Sequence, residues 1–307
     1  MSVCPFGTAI AQSIEPVDRT VAVTFDDLPA TALAGGECNR DALINLTERL
    51  LEHVTAYDIP ALGLVTERRI CDALREVVLP ELLSMWLDAG LELGNHTFSH
   101  FDLNTTDVAT YQDDILRGET VTRPLVAAQG LPLRYFRYPL LHTGPDREKY
   151  EAIASFLRAR GYTNAPVTID SQEWVFSAVY VRAKARSDVE MMQRIGDAYV
   201  PFMERVFSFF ESWSMEVLGY EPPQVLLLHA NELNADYFDE LAQMMRQRGY
   251  RFIPLGQALE DPAYQLPEHY RGPRGLSWLH RWAVTKGLDI QEEPREPDWL
   301  AELFRSY

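Results

Sequence analysis

The chain has 307 residues and carries 45 acidic side chains against 28 lysines and arginines, a formal charge of −17. That charge argues against nucleic acid or an anionic membrane surface as a partner, because a polyanion is repelled, and no apolar run approaches the length of a membrane span. The length suits one large α/β domain burying about three quarters of its unfolded surface. The three cysteines, Cys4, Cys38 and Cys71, are few, odd in number and far apart, which indicates neither a disulfide framework nor a cysteine-rich zinc site.

Residues 1–18 read either as an N-terminal arm or as the remnant of a signal peptide. Ala9-Ile10-Ala11-Gln12 has the small-x-small pattern of a cleavage site, but the basic start is missing. Export to the periplasm or beyond is the expectation on the second reading.

Val21 to Phe25 is an apolar, β-branched run that ends on two adjacent carboxylates, Asp26 and Asp27. A buried strand does not carry a pair of acids without a reason, and chemistry at the strand end is one. A loop follows through Pro29 and Gly35-Gly36. Helical spacing covers Asn39 to Tyr57, a second strand Ala61 to Thr66, a second helix Asp72 to Ala89, and a third strand Leu91 to His96. Thr106 to Ala128 reads as one helix, Tyr135 to Pro139 as a strand, Arg147 to Arg160 as a helix, and Ala165 to Asp170 as extended. A long aromatic helical region runs from Ser187 to Leu218 with an interruption near Pro201. Gln224 to His229 is the clearest buried strand, followed by a helix from Ala235 to Arg248 and a last strand Arg251 to Leu255. Strand and helix alternate without a hairpin signal, the pattern of a parallel sheet closed or nearly closed by crossover helices, with its site at the carboxyl ends of the strands. After Ala258 a tail rich in proline and aromatic residues, 259–307, suits a strap over the barrel better than a second domain.

Candidate groups collect at those strand ends. His96 and His100 form an H-x-x-x-H pair; on one helical turn both imidazoles would share a face. With Asp27 they make two nitrogens and one oxygen, a three-ligand set that leaves a coordination position open. Arg137-Tyr138-Pro139, Asp170 to Trp174 and Leu227-Leu228-His229 fall at further strand ends.

Together these segments resemble the polysaccharide deacetylases, the NodB-homology domains of carbohydrate esterase family 4. Thr24-Phe25-Asp26-Asp27 matches its first motif and His96-Thr97-Phe98-Ser99-His100 its second. Arg137-Tyr138-Pro139, Glu173-Trp174 and Leu227-Leu228-His229 match the third to fifth, in the family's order, over residues 19–258. The resemblance implies a distorted (β/α)7-type barrel in a single domain. It implies a divalent metal, Zn2+ or else Co2+ or Ni2+, on Asp27, His96 and His100. Asp26 would be the general base and His229 the general acid, with Arg137 paired to Glu173. Pro139, Leu140, Trp174 and Leu227 would contact substrate, the Leu140 amide at the oxyanion and Leu227 in the acetyl pocket, and His142 is an extra loop histidine near the cleft. Leu140 stands where the family commonly has Tyr, and Glu173 where it has Asp. The implied activity is removal of acetyl groups from N-acetylated sugars or polysaccharide. The alternatives are an O-acetyl esterase of the acetylxylan type, a hydrolase of another small amide, or a non-catalytic carbohydrate-binding barrel.

Overall fold

A computed structural model describes residues 18–306. Cys4 and the stretch read as an arm or signal remnant, except its last residue, lie outside the described residues. Strand β1 (Arg19–Leu28) is the axis of the sheet. It pairs in parallel with β2 (Leu62–Val65) and β6 (Gln224–His229), and at its start with β7 (Tyr250–Phe252). Beyond β2 come β3 (Glu92–Asn95), β4 (Tyr135–Phe136) and β5 (Thr163–Asn164), again all parallel. A parallel pair needs a crossover, and the helices supply it. These are α1 (Arg40–Ala56), α2 (Asp72–Asp88), α3 (Val108–Arg117), α4 (Thr122–Ala128), α5 (Arg147–Ala159), α6 (Glu173–Ala185), α7 (Val189–Leu218) and α8 (Glu232–Gln247). β1 is buried on both faces from Val21 to Leu28, one face turned to the barrel interior with Ala22 and the other to the outer helices with Val21, Val23 and Phe25.

The barrel closes through an irregular stretch. After β5 the chain leans from β4 toward β6: the Ala165 amide donates to the Phe136 carbonyl at 2.7 Å, and the Ile169 amide to that of Val225 at 3.0 Å. A single parallel bridge, Ile169 to Leu226, joins the two edges. The result is the distorted barrel with crossover helices, in one domain.

Several elements differ from the sequence reading. The expected helix 106–128 is two, because the chain breaks after Gly118, where a Cβ would strike the backbone of Thr97 and Phe98. Residues 173–185, given no element in the sequence reading, form α6; its run of β-branched and aromatic residues is poor in helix propensity but buried among other helices. α7 runs unbroken for 30 residues through Pro201. The buried stripe Phe202, Met203, Val206, Phe207 and Phe210 offsets a proline cost of about 3 kcal/mol.

The cysteine reading is overturned for two of the three: Cys38, before α1, and Cys71, at the start of α2, form a disulfide. Their loops follow adjacent strands β1 and β2, so strand pairing brings together residues that sequence spacing keeps apart.

Residues after Ala258 pack back on the barrel. The Trp278 amide donates to the Val167 carbonyl at 2.6 Å, extending the irregular closure. Helix α9 (Leu255–Ala258) leads into this segment, which contains α10 (Trp278–Thr285) and α11 (Asp298–Arg305). His280 of α10 lies among Phe209, Phe210 and Trp213 of α7, and Arg281 is fully buried.

Candidate metal and acid–base site

Alternation along a strand would send Asp26 and Asp27 to opposite faces. The β1–β2 register shifts between Phe25 and Leu28, and Asp27 takes a left-handed backbone, φ 63°. This bulge turns both carboxylates to one end of the barrel. Both are buried, 2% exposed.

His96 and His100 do not sit on a helical turn, as the spacing suggested. They belong to an irregular loop after β3, in which Thr97 and His100 have φ of 68° and 58°. The loop is wound by its own polar groups. The Thr97 amide donates to Asn95 Oδ1 at 2.7 Å and the His100 amide to Thr97 Oγ1 at 3.0 Å. Helix α3 seats it: the Ser99 amide donates to Asp114 Oδ2 at 2.8 Å and the Phe98 amide to the Asp114 carbonyl at 3.1 Å. Gly118 permits that close approach.

The outcome is convergence. Asp27, His96 and His100 each offer a ligand atom, all within 4.8 Å of one another. His96 Nδ1 lies 2.9 Å from the Arg137 carbonyl oxygen, which fixes the ring and leaves Nε2 for a ligand. Two imidazoles and a carboxylate are the donor set that suits a borderline divalent ion such as Zn2+, so these residues fit such an ion. Burial lowers the His100 pKa to about 4, against the pull of Asp27, so its ring is neutral and able to ligate at neutral pH. Burial raises the Asp27 pKa, but the charges of His100, Arg69, His96 and His229 outweigh it and hold the carboxyl well below the usual range.

Asp26 lies beside this trio, its Oδ2 3.7 Å from His96 Nε2. Arg137, fully buried, donates to Asp26 Oδ1 at 2.6 Å, to Thr24 Oγ1 at 2.7 Å and to the Ala165 carbonyl at 3.0 Å. The expected Arg137–Glu173 pairing is therefore incorrect. Arg137 crosses the barrel from β4 to β1, whereas Glu173, in the first turn of α6, faces β6. There Glu173 Oε2 is 2.8 Å from His229 Nδ1. Its other oxygen accepts from the side-chain amides of Asn231 and Asn234, the latter at 2.8 Å. The extra methylene of a glutamate is thus accommodated by two asparagines at the start of α8. Burial pulls the His229 pKa down, but the bond and charge of Glu173, with Asp27 and Asp26 behind, push it up to about 9. Asp170 accepts from the Ser171 amide at 2.8 Å, and its pKa rises to about 6, chiefly through burial, with Asp26 adding to the rise.

The remaining residues are distributed around this cluster. Pro139 to Leu141 is one short 3-10 turn with left-handed Leu140 and Leu141. Leu140 is half exposed; Leu141 and Leu227 form a small apolar cluster with Val167. His142 Nδ1 is 2.7 Å from Asp102 Oδ1, joining the loop after β4 to the loop after β3. The Trp174 ring meets Phe304 of α11, edge-on at 5.3 Å.

Sequence reasoning missed four polar contributors: Thr66 and Arg69 on Asp27, and Asn231 and Asn234 on Glu173. Thr66 Oγ1 donates to Asp27 Oδ1 at 3.1 Å and Arg69 Nη2 to Asp27 Oδ2 at 2.8 Å. The available signal was position, since all four follow the carboxyl ends of buried strands β2 and β6.

Residues 13–157 match the family model described as polysaccharide deacetylase. Over that stretch the chain resembles the polysaccharide deacetylases. Several solved structures are similar to this chain at low identity. One is a carbohydrate esterase family 4 pseudoenzyme from Bacillus anthracis, 16% identical over 80% of this chain and 66% of that one, with a TM-score of 0.50. A peptidoglycan deacetylase from Bacillus subtilis is 20% identical over 80% and 93%, TM-score 0.48. A family 4 acetyl xylan esterase from Clostridium thermocellum, in complex with a cobalt ion, is 19% identical over 79% and 91%, TM-score 0.48.

Proposed function

We propose that this chain is a metal-dependent hydrolase of the polysaccharide deacetylase type that removes acetyl groups from N-acetylated sugars or polysaccharide. The observation that carries the reading is the convergence of Asp27, His96 and His100 within 4.8 Å, with Asp26 against one side and a charged His229 facing them. A divalent ion held by those three residues would supply the Lewis acid that polarises an acetyl carbonyl and activates water. The chain's own groups do the rest. Arg137 occupies one oxygen of Asp26 and so aims the other at the site, where it takes the proton of the attacking water. The amides of Leu141 and His142 are taken by the carbonyls of Tyr138 and Pro139, and the Leu140 amide is assigned to the developing oxyanion. His229 holds a proton at neutral pH because Glu173 stabilises its cation, and with Nδ1 on Glu173 it delivers that proton from Nε2 to the leaving nitrogen. Leu141, Val167 and Leu227 give the acetyl methyl an apolar floor.

The test is mass-spectrometric product analysis on chitooligosaccharides, peptidoglycan fragments and acetylated xylan, with Zn2+ or Co2+ added. Loss of acetyl from the N-acetylated members, abolished by chelation, is the expected outcome. Release from xylan alone would move the assignment to an O-acetyl esterase, and no release from any would leave a carbohydrate-binding barrel. The Cys38–Cys71 disulfide supports export, since such bonds persist in oxidising compartments.

A further inference from the structure

Each of the two adjacent carboxylates has its own guanidinium. Arg137, on Asp26, lies in one of the segments that resemble the family's motifs, whereas Arg69, on Asp27, lies in none of them. Arg69 Nη2 donates to Asp27 Oδ2 at 2.8 Å, while Asp27 Oδ1 accepts from Thr66 and lies 3.8 Å from His100 Nε2. Both oxygens of the one carboxylate in the ligand trio are thus engaged, one of them by a full positive charge.

The loop that delivers Arg69 is pinned at every step. The Thr66 amide donates to the Leu28 carbonyl at 3.0 Å, that of Arg68 to Phe98 at 3.1 Å and that of Cys71 to Glu37 at 3.3 Å. Glu67, between them, accepts from the Val121 and Thr122 amides, each at 2.9 Å. The Cys38–Cys71 disulfide closes the far end. An arginine kept for packing alone would have its buried donors matched; Arg69 Nε is buried with no partner among the described residues. What its side chain does hold is Asp27.

We propose that Arg69 sets how tightly the Asp27, His96 and His100 site holds a divalent cation: it fixes the carboxylate and, as a tethered positive charge, competes for the same oxygen. This rests on the metal reading of the site and not on the identity of the substrate. A cation bound there shares Asp27 with a guanidinium that repels it, so removing the charge tightens binding. Without an ion, removing it leaves a buried carboxylate short of a partner, so the metal-free fold weakens.

The experiment uses the full chain, stripped with chelator, as native protein, Arg69→Gln and Arg69→Lys, with His96→Ala subtracting adventitious surface binding. Co2+ is titrated by its visible absorption and Zn2+ by calorimetry, and thermal midpoints are read with and without Zn2+. Arg69→Gln is expected to bind both ions about tenfold more tightly, the scale of a unit charge beside a divalent one under water-like screening. Arg69→Lys, which keeps the charge, stays within about threefold of native. The metal-free midpoint of Arg69→Gln falls, and its rise on adding Zn2+ exceeds that of native. Equal or weaker binding by Arg69→Gln, or an equal loss of midpoint with and without Zn2+, overturns the inference and leaves Arg69 a structural residue. If native protein takes up neither ion, the metal reading itself falls and takes this inference with it. Normal ion binding without acetyl release refutes only the proposed function.

Discussion

The proton on His229 provides a test that needs neither substrate nor metal. In chelator-treated protein, Glu173 and the acids behind it push the His229 pKa from 6.5 to about 9 against the pull of burial. Each pKa unit is 1.36 kcal/mol, so the folded state favours the imidazolium by about 3 kcal/mol relative to the unfolded chain. The sign follows from the folded value lying above the unfolded one. This contribution is fully present below pH 6.5 and is lost as pH rises through 9. Glu173→Gln keeps the shape of the site. The glutamine oxygen can accept from Asn231 and Asn234, and its amide can donate to His229 Nδ1, which then favours the neutral ring. The His229 midpoint, read from side-chain NMR, should fall by about two units. Urea unfolding from pH 6 to 10 should show the native protein losing stability that the variant never had. Asp170 and Glu293, raised to about 6 and about 8, titrate in both proteins, so the difference between the two profiles isolates the histidine. An unchanged His229 midpoint in Glu173→Gln would refute the argument that this carboxylate holds the proton in place.

Other groups give separate outcomes. Asp26→Asn should retain bound Zn2+ by calorimetry yet lose about 10²- to 10⁴-fold in turnover, the usual contribution of a general base. His229→Ala should depress hydrolysis of N-acetyl amides far more than of activated acetyl esters, whose leaving groups need no proton; equal losses on the two substrates count against the acid role. The Cys38→Ser, Cys71→Ser double variant opens a cross-link spanning 33 residues and should lower unfolding free energy by about 3–4 kcal/mol in urea titration. Arg281→Met breaks a fully buried cation's contacts with the Leu141 carbonyl, Thr143 and Glu268, at a cost of about 3–5 kcal/mol. Arg281→Lys should recover part of that stability in the same titration.

The sequence disclosed those parts of the site that lie within one segment. Asp26-Asp27, the H-x-x-x-H pair and Leu227-Leu228-His229 could be placed because each ends or directly follows a buried strand, and parallel strands put such ends on one side. What escaped was decided between segments. Arg137 carries no mark that distinguishes Asp26 from Glu173 as its partner; only the path of the guanidinium across the barrel does. Arg69 and the Cys38–Cys71 bond depend on β1 and β2 being neighbours. The loop of His96 and His100 could not be told from a helical turn by spacing, because its conformation comes from Asn95, Thr97 and Asp114 bonding to its backbone. α6 was unreadable for a different reason: its helicity is imposed by burial among α7, α8 and α11 against the local preference of Val175, Phe176, Val179 and Tyr180.

These cross-segment contacts share one electrostatic logic. Packing Asp26, Asp27, Asp170 and Glu173 at the end of a closed sheet would be prohibitive without countercharge, and the counterions come from different layers of the fold. Arg137 reaches Asp26 from β4 inside the barrel, Arg69 reaches Asp27 from the disulfide-tied loop after β2, and His229 on β6 faces Glu173 from α6. Among the described residues Asp170 has no such dedicated ion pair. The C-terminal segment brings Glu293 close enough that burial, and then the charge of Asp170, raise its pKa, while Arg274 opposes the rise. With its pKa pushed up to about 8, Glu293 is mostly protonated at neutral pH, so the segment beyond the barrel neither adds a full negative charge beside the cleft nor supplies a countercharge to Asp170. In a chain of net charge −17, four acids met by three dedicated countercharges make this end of the barrel a place that favours cations.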